Sequence, residues 1–266
     1  MERFAQNVGE DTISYLDQGV GDCLVLIHGF CGSHEYWKYI VPALTKEYRV
    51  LTIDLRGHGG SSTTKNGYNV SDMADDIENV IAALEIERVS IIGHSLGGYV
   101  ALAFAEKYPE KLNRLALIHS TAFADSEEGK ANRLKGINKI ESEGIIPFID
   151  DLVPKLFAKS SSTASNDQLQ FVKKIGYKTA EFGAIGGLEA MKNRLDRNDV
   201  LTNLTIPVLI VAGSEDQLIS PEKSFSVKSV YITEVTIEKC GHMSMIEQPD
   251  LLAEHLLFFL KNSVRV

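Results

Sequence analysis

Four stretches of this sequence are dense in apolar residues with no polar alternation: CLVLIH (Cys23–His28), YRVLTID (Tyr48–Asp54), VSIIGH (Val89–His94) and RLALIH (Arg114–His119). A strand with one wet face alternates apolar and polar residues, so these runs predict strands buried on both faces. Such strands need helices above and below them, and the sequence supplies helical spacing in between. Tyr36–Leu44 and Val70–Leu84 read as helices. In the second, Val70, Met73, Ile77, Val80, Ile81 and Leu84 recur at three and four residues, with Asn69 as N-cap. Thr12–Leu16 predicts an early strand, IPVLIVA (Ile206–Ala212) and YITEVTI (Tyr231–Ile237) two late ones, and Pro249–Leu260 a closing helix. The expected fold class is α/β, with a mostly parallel central sheet flanked by helices.

Residues 121–199 break this rhythm. They carry helical patterns at Glu127–Ile140 and Ile146–Phe157, no convincing strand, and a polar patch at Lys159–Gln168 that reads as a loop or hinge. The economical organisation is a core of residues 1–120 and 200–266 with a helical cap insertion at 121–199. That insertion is expected over the carboxyl ends of the strands, where open α/β sheets bind ligands.

The composition narrows the function. With 266 residues, 44% of them hydrophobic, the chain can bury a sizeable core without disulfides or a structural metal. A net charge of −9 without a long basic block disfavours nucleic acid and anionic membrane surfaces. The three cysteines, Cys23, Cys31 and Cys240, form no CxxC pair and predict neither a disulfide framework nor a zinc site. The first residues, MERFAQNVGEDTISYLDQ, lack an apolar signal-peptide core, and no apolar run reaches the roughly 18 residues of a membrane span. A cytoplasmic protein acting on a small molecule, with no cofactor, is expected.

The stretch SIIGHSLGGYVALAFAEKYP (Ser90–Pro109) then supplies the chemistry. Gly93-His94-Ser95-Leu96-Gly97 matches G-x-S-x-G between a predicted strand and a predicted helix, the setting of a nucleophile elbow. A serine hydroxyl is a poor nucleophile until a base takes its proton, and an acid must orient that base. His242, just after the last strand, is the candidate base. Asp216, just after the strand before it, is the candidate acid, with Glu215 as a rival.

HGFCGS at His28, DLRGHGGS at Asp54, GHSLGG at Gly93 and the GSEDQLISP…CGHMSMIEQP pair together resemble the α/β-hydrolase superfamily over essentially the whole chain. The resemblance implies Ser95 as nucleophile, His242 as general base and Asp216 as its acid partner. Asp216 lies three residues after Gly213 and five before Pro221, the family's spacing, which favours it over Glu215. The backbone N–H of Leu96 is expected in the oxyanion hole, and the resemblance implies that of Phe30 as the second donor.

His28, His58 and His34 show no metal-ligand spacing, so no metal is expected. Arg56 and Asp54 are expected to brace their own loop. His119, ending its strand, is expected either to bond backbone there or to touch substrate. Phe123, Phe148, Phe157, Tyr177, Phe182 and Met191 are the apolar side chains of the insertion available to line a pocket, and Met243 beside His242 is a further pocket residue. The resemblance implies carboxylic ester hydrolysis as the leading activity, and an apolar cap favours acyl chains of small to medium size. C–C, enol-lactone and thioester hydrolysis, peracid formation, and a receptor with slow hydrolysis remain the alternatives on these motifs. The aspartate nucleophile of dehalogenases and epoxide hydrolases is absent.

Overall fold

The computed structural model describes residues 3–63, 67–159 and 165–262. One sheet contains β1 (Arg3–Val8), β2 (Asp11–Gln18), β3 (Cys23–Ile27), β4 (Arg49–Ile53), β5 (Val89–His94), β6 (Leu112–Ile118), β7 (Val208–Gly213) and β8 (Ile232–Ile237). Their spatial order is β1-β2-β4-β3-β5-β6-β7-β8. Pairing is antiparallel at β1–β2 and β2–β4 and parallel from β4 onward. Every residue of β3, β5 and β7 is buried, as their unbroken apolar runs require.

The helices before β7 are α1 (Val41–Leu44), α2 (Val70–Ala83), α3 (Leu96–Lys107), α4 (Glu127–Glu143), α5 (Ile145–Leu152), α6 (Asn166–Gly176), α7 (Glu181–Lys192) and α8 (Asn198–Asn203). After β7 come α9 (Pro221–Ser224), α10 (Ser244–Glu247) and α11 (Pro249–Asn262). The side chains of Asn69 and Asp72 close a capping box at the start of α2. From β3 the chain crosses to β4 on one side; from β5 it crosses to β6 on the other. Right-handed crossovers that travel in opposite directions lie on opposite faces of the sheet. Accordingly α2 packs with α3, and α1 with α11. The carboxyl ends of β3 and β5 therefore flank a switch point, where open sheets leave a crevice.

Between β6 and β7, α4 packs on α5 and α7, and α5 packs on α6. Ile137, Ile140, Ile145, Ile149, Val172 and Ile175 are buried among these helices. Among the described residues, no helix is long and apolar enough to cross a membrane.

Some elements differ from the expectation. β1 was not expected, because RFAQNV, at the sheet edge, is mostly exposed and has no apolar run to reveal it. The helix predicted at Tyr36–Leu44 is instead a 3₁₀ turn at His34–Trp37 followed by the short α1. Pro42 has no N–H to continue the earlier turn and sits where a helix begins. The helix predicted at Ile146–Phe157 ends as α5, and a 3₁₀ turn at Val153–Leu156 follows around Pro154. In the polar patch, Asn166–Gln168 are helical rather than loop, since Ser165 and Gln168 form a capping box for α6. Residues 160–164 of that patch lie outside the described residues.

Candidate active site

Ser95 is the joint between β5 and α3, with φ 51° and ψ −113°. A side-chain-bearing residue in so sparse a region costs about 1–3 kcal/mol and must be held there by its surroundings. The Ser95 N–H donates to the Ile118 carbonyl (2.9 Å). Its carbonyl accepts from the Gly98 N–H (2.8 Å) and the Ser120 hydroxyl (2.8 Å). Strand and helix meet too closely for side chains. A Cβ on Gly93 would lie 2.3 Å from the Gly97 carbonyl oxygen, and one on Gly97 would lie 2.3 Å from that of Ile27.

His242 follows β8 and Asp216 follows β7. Of the adjacent acids at 215 and 216, Asp216 is the one whose carboxylate meets the ring: His242 Nδ1 lies 2.7 Å from Asp216 Oδ2. The other oxygen, Oδ1, accepts from the N–H groups of Leu218 (2.8 Å) and Ile219 (3.0 Å). Burial would push this carboxyl up, but His242 and His119 hold it well below the usual carboxylate range. An ionised Asp216 keeps the His242 proton on Nδ1 and leaves Nε2 free to accept another. Ser95 and His242 line the same cavity, of about 710 Å³.

The backbone around His242 is held independently of Asp216. The His242 N–H donates to the Leu156 carbonyl (2.8 Å), and its own carbonyl accepts from His94 Nε2 (2.9 Å). Glu247, at the end of α10, gathers the N–H groups of Ala158 (3.0 Å), Gly241 (3.0 Å) and Met243 (3.1 Å) on one carboxylate. Glu247→Ala should destabilise the chain by about 2–3 kcal/mol in urea unfolding, since bonds to a charged acceptor are worth about 1.5–3 kcal/mol each and are not additive. Glu247→Gln, which keeps one acceptor, should lose less; equal stability of all three proteins would show that the carboxylate is not holding the loop.

Leu96 is the first residue of α3, so its N–H has no intrahelical acceptor. Phe30, in the turn after β3, donates its N–H to no protein group among the described residues. Phe30, Phe123, Met191 and Met243 line the cavity. Phe148 does not; it packs edge-to-face behind Phe30, with ring centroids 6.0 Å apart. Phe157, Tyr177 and Phe182 are also outside the lining. Phe157 is buried in the core, Tyr177 bonds Asp150, and Phe182 is exposed.

His119 likewise is not in the cavity wall, against one of its two sequence expectations. Its ring is fully buried behind Asp216. The Ser244 N–H donates to His119 Nε2 (3.3 Å), and the Ser244 hydroxyl lies 2.8 Å from the same nitrogen. With Nε2 accepting, the ring proton sits on Nδ1, 3.4 Å from Asp216 Oδ2. Burial holds His119 and His94 below the usual imidazole range, so both are neutral at pH 7.

His119, Asp216 and His242 are also a group among the described residues whose ligand atoms lie close enough together for an ion, within 4.8 Å. The Asp216 oxygens are already engaged, one on two backbone N–H groups and the other on His242, and His119 Nε2 accepts from Ser244. The remaining loop expectations divide. Asp54 does brace its own loop, accepting from the Gly60 N–H (2.8 Å), and it also takes the His34 N–H. Arg56 reaches across instead, pairing with Asp76 of α2 at 2.6 Å. Glu247, Ser120 and Ser244 were not expected at this site. Each acts on a partner distant in sequence or on backbone, and neither leaves a spacing to read.

Comparison with known proteins agrees with this architecture. A family model described as alpha/beta hydrolase fold matches residues 22–249. A putative carbamate hydrolase, RutD, of Agrobacterium fabrum is 30% identical over 245 residues, covering 89% of this chain and 92% of that protein. A 2-hydroxy-6-oxo-6-(2'-aminophenyl)hexa-2,4-dienoic acid hydrolase of Metapseudomonas resinovorans is 24% identical, covering 98% and 91%. Among solved structures, a thermophilic esterase from Thermogutta terrifontis, malate bound, superposes with a TM-score of 0.93 at 28% identity over 99% of both chains. Sheet order, elbow and family match converge, and this chain belongs to the α/β-hydrolase fold family.

Proposed function

We propose that this hydrolase cleaves carboxylic esters of small to medium acyl chain, with Ser95 as nucleophile, His242 as general base and Asp216 as its orienting acid. The 2.7 Å contact between Asp216 and His242, beside a serine held at an elbow, is the observation that carries the reading. Ser95 Oγ attacks the ester carbonyl as its proton passes to His242 Nε2. The oxyanion is met by the N–H groups of Phe30 and Leu96, each worth about 3 kcal/mol in such a site. His242 then gives the proton to the leaving alkoxide, and the alcohol departs. Water, deprotonated by the same nitrogen, releases the acid from the acyl-enzyme. Residues 121–199 act as the cap: Phe123, Leu152, Leu156 and Met191 bring apolar surface to the cavity that Ser95 enters. The buried, unpaired Cys23, Cys31 and Cys240 suit the reducing cytoplasm in which we place the protein.

The same attack would open a carbamate, and the Agrobacterium relative's name favours that as a second reading. C–C, enol-lactone and thioester substrates would use the same three residues. Hydrolysis of p-nitrophenyl acetate, butyrate, octanoate and palmitate, with Ser95→Ala as control, tests the reading. Turnover peaking at short or medium chains is expected. No turnover while a fluorophosphonate still labels Ser95 would leave the triad and remove the simple ester.

A further inference from the structure

The cavity wall carries three cations, Arg133, Arg194 and Lys223, on a chain whose net charge is −9. They are not equivalent. Arg194 is part of the scaffold: its guanidinium bonds Asp125, the Met191 carbonyl (3.0 Å) and the Phe123 carbonyl (3.0 Å), and it stacks 4.1 Å over the Tyr99 ring. Asp125 is then shared, because Arg133 Nε also donates to it (3.0 Å). Burial would raise this carboxyl, but the two guanidiniums hold it low, so it is ionised and one carboxylate faces two cations. The terminal nitrogens of Arg133 bond no protein group among the described residues. Lys223 has no carboxylate within 4.0 Å among them either; its engaged atoms are backbone ones, the carbonyl accepting from the Thr121 hydroxyl (2.6 Å) and the N–H donating to the Ser220 carbonyl (2.9 Å). The second acid of the wall, Glu128, stands in the first turn of α4, where the helix dipole already favours a negative charge.

We propose that Arg133 and Lys223 form an anion subsite in this cavity, so that the preferred substrate is an ester whose far end bears a carboxylate. This rests on the ester hydrolase reading and deepens it. A guanidinium with both terminal nitrogens free presents a planar fork to a carboxylate, and the lysine adds a point charge in the lining of the same cavity. Elsewhere the chain's net negative charge repels an anion, so acceptance of one depends on a local positive wall. The aromatic and aliphatic residues of the same cavity take the methylene chain between the two ends.

Ethyl hydrogen adipate and ethyl hexanoate differ chiefly in a terminal carboxylate against a terminal methyl group, and they make the test. Binding is read first, by calorimetry on the full chain carrying Ser95→Ala, so that no turnover is needed. Ethyl hydrogen adipate should bind about tenfold more weakly when Arg133→Gln and Lys223→Gln are added, and its affinity should fall as salt is raised. Lys223→Glu alone, at an exposed site, should weaken it further than Lys223→Gln. In the Ser95 protein, the ratio of kcat/KM for the anionic ester to that for the neutral one should fall about tenfold in the double variant. Affinity for the adipate ester unchanged by all three substitutions would overturn the subsite. Failure of the ester reading shows separately: neither ester is turned over by the Ser95 protein, while the charge dependence of binding still decides the subsite.

Discussion

Ser95→Ala should lower kcat/KM for the best ester by about 10^4- to 10^6-fold, because removing the nucleophile of such a constellation leaves only what the oxyanion donors and binding supply. The fold should survive. Ser95 makes its identified hydrogen bonds through backbone atoms, to Ile118, Gly98, Tyr99 and Ser120, and an alanine keeps all of them. Ser95→Gly should be equally inactive yet more stable by about 1–2 kcal/mol, because glycine relieves the strain of a residue held at φ 51°. Steady-state kinetics and thermal unfolding of the three proteins check both halves together. A Ser95→Ala protein that keeps a tenth of the activity would place the nucleophile elsewhere.

Asp216→Asn should cost about 10^4-fold in kcat, for a reason specific to this carboxylate's partners. Its Oδ1 side faces two N–H donors, Leu218 and Ile219, so an asparagine must keep its oxygen there. The amide NH₂ then points at His242 Nδ1, which has to accept rather than donate. The ring proton is driven to Nε2, and the base can no longer take one from Ser95. The same substitution should change acid stability. The folded-state pKa of Asp216 is depressed, so its contribution to stability is complete above the unfolded value, about pH 4, and is lost as pH falls below it. Between about pH 4 and 2, unfolding free energy should therefore fall less steeply in Asp216→Asn than in the unaltered chain. Parallel slopes would mean that the carboxylate is not held ionised by the fold.

The sheet was legible where burial on both faces writes an unbroken apolar run, as in β3, β5 and β7. It was illegible in β1, whose backbone pairs with β2 while its side chains face water. β8 was legible as a strand although it is only partly buried at the opposite edge, because Ile232, Val235 and Ile237 still mark it. The insertion was readable as helical but its boundaries were not. Pro42 and Pro154 break helices whose apolar spacing continues past them. The start of α6 hid in a polar patch although Ser165 and Gln168 already held the signature of a capping box.

The sequence by itself determined the class of sheet, the elbow at Ser95 and the positions after β7 and β8 that carry Asp216 and His242. Those features are local: they depend on burial, on glycines next to a serine, and on where a strand ends. Only the tertiary structure decided which side chains share the cavity. It moved His119 behind Asp216 and Phe148 behind Phe30, and it brought Arg133, Arg194 and Lys223 from three separate segments into the lining of one cavity. The physical reason is the switch point in strand order, since crossovers leaving β3 and β5 in opposite directions open a crevice between them. What fills that crevice comes from helices folded over the sheet, and their placement is set by packing among distant residues, which no spacing along the chain records.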